Sequence, residues 1–367
     1  MPIIMLFVIG CISGFVLFAK VCLINDGLPL ERKYKVSVII PARNEEKNLP
    51  FLLESLKKQT YQPDEVIVVD DFSSDRTQEI ARQYGVKVIQ NAQLPEGWTG
   101  KNWALWNGFL NSTGDILVFL DADVRLAPNG LEALIKTRER YGGAISVVPY
   151  HKPERFYEKL SLIPYLLGVF AFTSPFERNS SEKSLYGSCI MVAREDYEKI
   201  NGHYGVRHEI MDDMTLGKRF SEAGISVENF IGYDLVSFRM YPNGIKSEIE
   251  GFSKSAVLGM VNLSRSTVAL IALWVIGIVL AGFITPLLIV AKHPWVWPFL
   301  VGYIMYTLQI LYFLKYTGTY GKIVPVMHFL SLAFFILIMV YSMYQVLFKG
   351  CVYWKGRQIE IRSRRGL

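Results

Sequence analysis

The feature that most constrains this chain is a set of four uncharged, apolar runs at 2–19, 268–291, 295–314 and 323–348. A helix rises 1.5 Å per residue, so about 20 apolar residues cross a hydrocarbon core roughly 30 Å thick. Hydrophobic residues make up 51% of the 367 positions, a share that fits a membrane protein. A fifth run, 160–176, is short and carries Pro164 and Pro175; it reads as a helix that is partly inserted or lies on the surface. The first run lacks a basic leader and a small-residue cleavage site, so it is expected to remain as an anchor, spanning 1–24 with its flanks. Lys20, Arg32, Lys33 and Lys35 follow it, and the positive-inside rule then places the next domain in the cytoplasm of a multi-pass cell-membrane protein. Three full crossings after that domain would put the basic tail at 349–367 outside, so either one of the three is re-entrant, the reading preferred here, or the tail is external.

The net charge of +6 belongs to this membrane reading, since Lys349, Lys355, Arg357, Arg362, Arg364 and Arg365 cluster in the tail. No interleaving of basic and aromatic residues marks a nucleic-acid platform, so no nucleic-acid partner is expected. Cys11, Cys22, Cys189 and Cys351 have neither metal spacing nor a disulfide framework.

Between 34 and 240, short β-branched runs alternate with amphipathic stretches, the pattern of a mostly parallel sheet covered by helices. Strands are expected at 36–41, 65–70, 86–90, 116–120, 144–148 and 188–192, and helices at 49–56, 76–84, 102–111, 130–141 and 214–223. A mixed segment at 241–267 reads as an amphipathic helix at the interface, ahead of a membrane block at 268–348.

The chemistry concentrates where strands end. Asp121 and Asp123 stand one residue apart after the apolar run 116–120, and ligands of open α/β sheets bind beyond the carboxyl ends of the strands. Two hard oxygen ligands suit Mg2+ or Mn2+, which keeps waters and bridges substrate phosphates. Alone, such a pair is more often a helix cap or a solvated turn. Two other strands switch from apolar to charged at the same expected edge, through Pro41-Ala42-Arg43-Asn44-Glu45 and Asp70-Asp71. Lys101, between Gly100 and an expected helix start, is either a phosphate contact or a solvated lysine. Asp212 and Asp213 precede an amphipathic helix and are candidates for a general base or for its cap. Arg239 is either a diphosphate partner or a strand-end ion pair. Gly187, in Tyr186-Gly187-Ser188-Cys189, is read as room for a bulky substrate. The five histidines have no zinc spacing and read as structural or interfacial, with His151 and His208 as possible neighbours of the site. Trp103 and Trp106 fit helix packing better than a sugar floor.

In order along the chain, PARNEE, VVDDFSSD, GWTGKNWALWNG and FLDADV resemble the donor-binding half of the inverting family-2 glycosyltransferases with a GT-A fold, over residues 36–240. That resemblance implies an α/β, Rossmann-like domain. It further implies a nucleotide framed by Pro41, Ala42, Arg43 and Glu45, a base contacted by Asp71, and a diphosphate approached by Lys101, Ala122 and Arg239. It implies a metal on Asp121 and Asp123, and Asp213 with Asp212 as the basic pair. Val147 to His151, Arg155 to Glu158, Phe238 to Tyr241 and Tyr353 to Gln358 resemble the 4,4'-diaponeurosporenoate glycosyltransferases of carotenoid biosynthesis over nearly the whole chain, with related patterns in hopanoid-associated and ceramide glucosyltransferases. A hexose, expected to be glucose from UDP-glucose, would then pass to a membrane lipid or isoprenoid acceptor at the bilayer. A processive polysaccharide synthase would carry a Q-x-x-R-W match and more spans, and 238–241 has neither the Gln nor the Trp. A non-catalytic scaffold would have lost its carboxylates.

Overall fold

The computed structural model describes residues 2–180, 182–256, 263–354 and 357–360. Lys355, Arg362, Arg364 and Arg365 of the expected tail, and Leu258 of the expected interface helix, lie outside them. The chain divides into two compact units, one built from 21–151 and 180–239, the other from 1–20, 152–179 and 240–367. The sequence reading ran a single domain from 34 to 240; in the structure the segment 152–179 belongs to the second unit.

Among its described residues the first unit holds ten strands. These are β1 (Val36–Ala42), β2 (Glu65–Asp70), β3 (Lys87–Gln90), β4 (Ile116–Leu120), β5 (Val124–Leu126), β6 (Ala144–Val148), β7 (Tyr150–His151), β8 (Cys189–Ala193), β9 (Val227–Ile231) and β10 (Val236–Phe238). Seven form one sheet in the order β3-β2-β1-β4-β8-β6-β9, and β5, β10 and β7 form a small second sheet. β1 to β4 are mutually parallel, while β8 runs antiparallel to both β4 and β6. Continuous apolar runs in β1 and β4 follow from burial on both faces, since helices cover a parallel sheet on each side. One core gathers Ile39, Leu117 and Phe119 from the sheet with Leu105, Phe109, Leu216 and Phe220 from the helices Gly100–Leu110 and Asp212–Glu222. Along Leu49–Lys57, the apolar stripe Leu49, Leu52, Leu53 and Leu56 is buried, as its spacing requires.

The chain runs outward from β1 to β2 and β3, then returns to place β4 on the other side of β1. This reversal opens a crevice between the carboxyl ends of β1 and β4, the position where such sheets bind ligands.

Among the described residues of the second unit, four helical segments are long and apolar enough to cross a membrane: Tyr157–Arg178, Arg265–Val290, Val296–Thr317 and His328–Lys349. Pro2–Leu17 is apolar but shorter. The expected run at 323–348 breaks into a short helix, Ile323–Val326, and a longer one beginning at His328. Pro2–Leu17 packs through its small residues, since a side chain at Gly14 would meet Trp274 and Gln309. Gln309 donates to the Cys11 carbonyl at 2.6 Å and accepts from the Trp274 indole N–H at 2.8 Å. Such bonds satisfy buried polar groups where no water competes. Residues 351–354 and 357–360 form an antiparallel hairpin within the stretch read as a tail.

Candidate active site

Three loops leave the carboxyl edge of the main sheet side by side. The loop after β1 and the loop after β2 are stitched together by polar contacts. Arg43 donates to the Asp71 carbonyl at 2.8 Å, the Asp71 N–H to the Ala42 carbonyl at 2.8 Å, and the Glu45 N–H to Thr77 Oγ1 at 2.8 Å. Pro41 and Ala42 pair with Val69 and Asp70 in the parallel ladder. Asn44 and Phe72 both adopt left-handed backbone conformations, with φ of 54° and 57°. Asn tolerates that region, whereas an aromatic residue is strained there, and such strain gathers at ligand sites. Asp71 is buried, and Glu45 accepts from Asn48 Nδ2 at 3.0 Å.

From β4 the chain enters Asp121, whose N–H donates to the Ser188 carbonyl at 2.9 Å. Lys101, in the first turn of Gly100–Leu110, places its ammonium 2.8 Å from Asp121 Oδ1. Burial works against that ammonium, but the carboxylates of Asp121, Asp212 and Asp213 outweigh it and hold the amine well above its usual range. One cation therefore feels three carboxylates from β4 and from the Asp212–Glu222 helix. Ala122 is buried, and the Asp123 carbonyl accepts from the Arg239 N–H at 3.3 Å, so the pairing of β5 with β10 brings Arg239 beside Asp123.

Asp212 and Asp213 are the first two residues of their helix, and Met211 holds the cap position with no side-chain bond. Neither carboxylate is the cap that one reading allowed; both instead lie in the first turn, where the helix dipole favours negative charge. Asp213 Oδ1 accepts from the Met214 N–H and Oδ2 from the Gly187 N–H, both at 2.9 Å. A β-carbon on Gly187 would lie 2.7 Å from Asp213 Oδ2. The smallness at 187, read in the sequence as space for substrate, serves the carboxylate.

Two features escaped the sequence reading. Asn102, fully buried, donates from Nδ2 to the carbonyls of Val206, Arg207 and Glu209 at 2.8, 3.3 and 3.2 Å. It ties the Lys101 turn to the segment leading into Asp212; its only signal was a position next to Lys101. His203, read as structural, lies 3.8 Å from Asp212. Of the possible site histidines, His208 is half exposed and 3.4 Å from Glu209, while His151 is buried. Trp103 packs on Trp98 and Trp106 on Phe109, both at 5.0 Å between ring centroids, as helix packing predicts.

Asp121 and Asp123 carry the hard oxygen donors that a divalent cation takes. Asp121 already faces a positive charge, and no group of three His, Cys, Asp or Glu residues able to hold a metal occurs among the described residues. Substrate phosphate and water would complete a shell around two carboxylates, as magnesium sites commonly do. Burial, with the Asp121 carboxylate beside it, raises the Cys189 thiol.

Residues 37–201 match the sequence profile of glycosyl transferase family 2. The chain is 37% identical over 278 residues to a 4,4'-diaponeurosporenoate glycosyltransferase of Staphylococcus haemolyticus, covering 73% of this chain and 74% of that protein. It is 33% identical over 336 residues to the Staphylococcus aureus protein of the same name, covering 90% of this chain and 89% of that one. A mannosyltransferase from Pyrobaculum calidifontis, solved with GDP-Man and Mn2+, shares the fold with a TM-score of 0.56 at 15% identity, covering 95% of this chain and 99% of its own. Profile, relatives and fold agree that this chain is a member of glycosyl transferase family 2.

Proposed function

We propose that the protein transfers a hexose, with inversion, from a nucleoside diphosphate sugar to a carotenoid acid or similar isoprenoid acceptor at the cytoplasmic membrane surface. The observation that carries this reading is the convergence of Asp121, Asp212 and Asp213 on Lys101 beside the sheet's switch point. UDP-glucose is the proposed donor, its base beside Asp71 and its ribose within the frame of Pro41, Ala42, Arg43 and Glu45.

Asp121 and Asp123 would hold Mg2+ or Mn2+, which supplies charge neutralisation for the departing diphosphate. Lys101 and Arg239 add positive charge at the same place. As the bond from the anomeric carbon to the diphosphate breaks, the acceptor oxygen forms its bond from the opposite face and its proton passes to Asp213. Gly187 and Met214 aim that carboxylate through their N–H groups. The names of the relatives favour an acid as acceptor. An apolar carboxylic acid at a lipid surface resists ionisation because low dielectric disfavours charge, so a base has a proton to remove.

Connectivity supports one membrane placement. Strands from 21–151 and 180–239 alternate in one sheet, so the chain leaves and rejoins that domain on the same side of the bilayer. A single helix over Tyr157–Arg178 is then a half-inserted or surface element rather than a crossing, although its length would suffice. Lys20, Arg32, Lys33 and Lys35 support the cytoplasmic side.

The test is release of UDP from UDP-glucose by detergent-purified protein with Mn2+ and a carotenoid carboxylic acid, followed by mass spectrometry of the product. Glycosyl ester formation that is lost in Asp123→Ala supports the reading; acceptor-independent release, unchanged in that variant, refutes it.

A further inference from the structure

A buried chain of three polar groups ends at Asp212, and the proposed chemistry leaves two of them, Tyr197 and His203, unused. Tyr197 sits on the short helix Arg194–Lys199, His203 on the turn Gly202–Tyr204, and Asp212 at the start of its helix. Tyr197 is fully buried and His203 nearly so. The Tyr197 hydroxyl accepts from the His203 main-chain N–H at 3.0 Å and lies 2.6 Å from His203 Nδ1. An oxygen that already receives one proton directs its own proton to its other close neighbour. Nδ1 is then the acceptor, and the imidazole proton resides on Nε2. That nitrogen faces Asp212 Oδ2 at 3.8 Å.

The surroundings make this arrangement difficult to change. Any side chain at Gly202 would collide with the Tyr197 ring, and Gly202 and Asn201 adopt left-handed φ values of 37° and 57°. The Phe119 ring closes the pocket at 5.2 Å from the imidazole. Burial holds His203 down at about 4, with Asp212 opposing and Lys101 reinforcing the shift, so the ring is neutral at physiological pH. A neutral ring with a fixed tautomer turns an N–H dipole toward Asp212 without adding a charge that would compete with Lys101.

We propose that Tyr197 and His203 form a positioning relay that presents a fixed Nε2–H to Asp212, steadying the first turn of its helix and with it the adjacent Asp213 for sugar transfer. Tyr197 and His203 touch neither donor nor acceptor in this scheme and act through Asp212. The inference rests on the glycosyltransferase reading of the same site.

The test uses the full-length protein in detergent micelles with three variants. Tyr197→Phe removes the hydroxyl while keeping the ring, His203→Gln keeps an N–H donor near the Nε2 position, and His203→Ala removes it. Expected results are a fall in kcat of about tenfold or more for Tyr197→Phe and His203→Ala, partial recovery in His203→Gln, and a donor KM within about threefold of wild type throughout. Nitrogen-15 histidine spectra of the wild type should show His203 in the Nε2–H form, and Tyr197→Phe should lose that single tautomer while retaining the remaining histidine signals. The tautomer is measurable even if His203→Ala does not fold. An Nδ1–H ring in the wild type, or Tyr197→Phe with unchanged kcat, overturns the relay while leaving the transferase reading intact. If wild-type protein forms no product although Asp123→Ala and wild type bind donor alike, the transferase reading itself fails, and the tautomer spectrum still judges the relay's geometry.

Discussion

Gly187→Ala isolates the placement of Asp213 from its chemistry. Gly187 is not among the residues with positive φ, so alanine fits the backbone and the only penalty is contact. The added carbon would stand 2.7 Å from Asp213 Oδ2 and 3.1 Å from its Cβ and Cγ. Ordinary separations of about 3.5 Å require the carboxylate to retreat by roughly 0.8 Å and to turn off the Gly187 N–H. A displacement near 1 Å at a reacting group costs about 10²-fold in rate, because the geometry of attack is lost while the group remains. Arg43, Asp71 and Asp121, the proposed donor contacts, lie on other loops, so kcat should fall about 30- to 100-fold with donor KM nearly unchanged. Losing one hydrogen bond to a charged group lowers stability by about 1.5–3 kcal/mol, which a thermal melt in detergent would register. Steady-state product formation, read by chromatography of the glycosylated carotenoid, measures the rate. Were Gly187→Ala to retain kcat within threefold while Asp213→Asn is inactive, the loop would not set the position of the base and the argument would fail.

Lys101→Met leaves three carboxylates without their shared cation, and donor affinity by calorimetry should fall about 10- to 100-fold, with partial retention in Lys101→Arg. Asp213→Asn should lose about 10²- to 10⁴-fold at pH 6; raising the pH toward 9 restores activity with a carotenoid acid, which then ionises unaided, whereas an alcohol acceptor shows no recovery. Stability of the α/β domain should decline on acidification. Burial depresses His203 to about 4 and His151 to about 3, so between those values and the ordinary 6.5 the unfolded chain binds more protons than the folded one. Their contribution is therefore complete above pH 6.5 and lost as pH falls through 4 and 3, by roughly 3 kcal/mol or more for each imidazole, and melts across pH 4–7 measure the slope. Single cysteines introduced at Lys152 and Ser180 should react with an impermeant maleimide from the same side of sealed vesicles; opposite-side labelling would sink the membrane placement of Tyr157–Arg178.

The legible parts of this protein were those fixed by local pattern. β2 at Glu65–Asp70 and β4 at Ile116–Leu120 fall where apolar runs end in charge, and the helix Gly130–Tyr141 fills its expected span. β5, β7 and β10 went unread because they hold two or three residues each, too few for any period, and owe their pairing to distant segments. The same distinction separates the site residues. Asp121 and Asp123 announce themselves by spacing in the chain, but the partnership of Gly187 with Asp213 spans 26 positions and that of Asn102 with Glu209 spans 107. Sequence offers the reactive groups; their aim comes from contacts that exist only once β8 has inserted between β4 and β6.

That insertion also explains why an apolar helix interrupts a soluble fold. β6 and β8 are neighbours in the sheet but are separated in sequence by Tyr157–Arg178. The connection between two strands of one domain must start and finish on one side of any bilayer, and the helix in this connection buries Leu162, Ile163, Leu166, Val169 and Phe170 against protein. Hydropathy cannot distinguish this helix from a crossing, because it counts apolar residues and not what covers them. Strand order can distinguish them, because water-soluble strands cannot pair through a membrane.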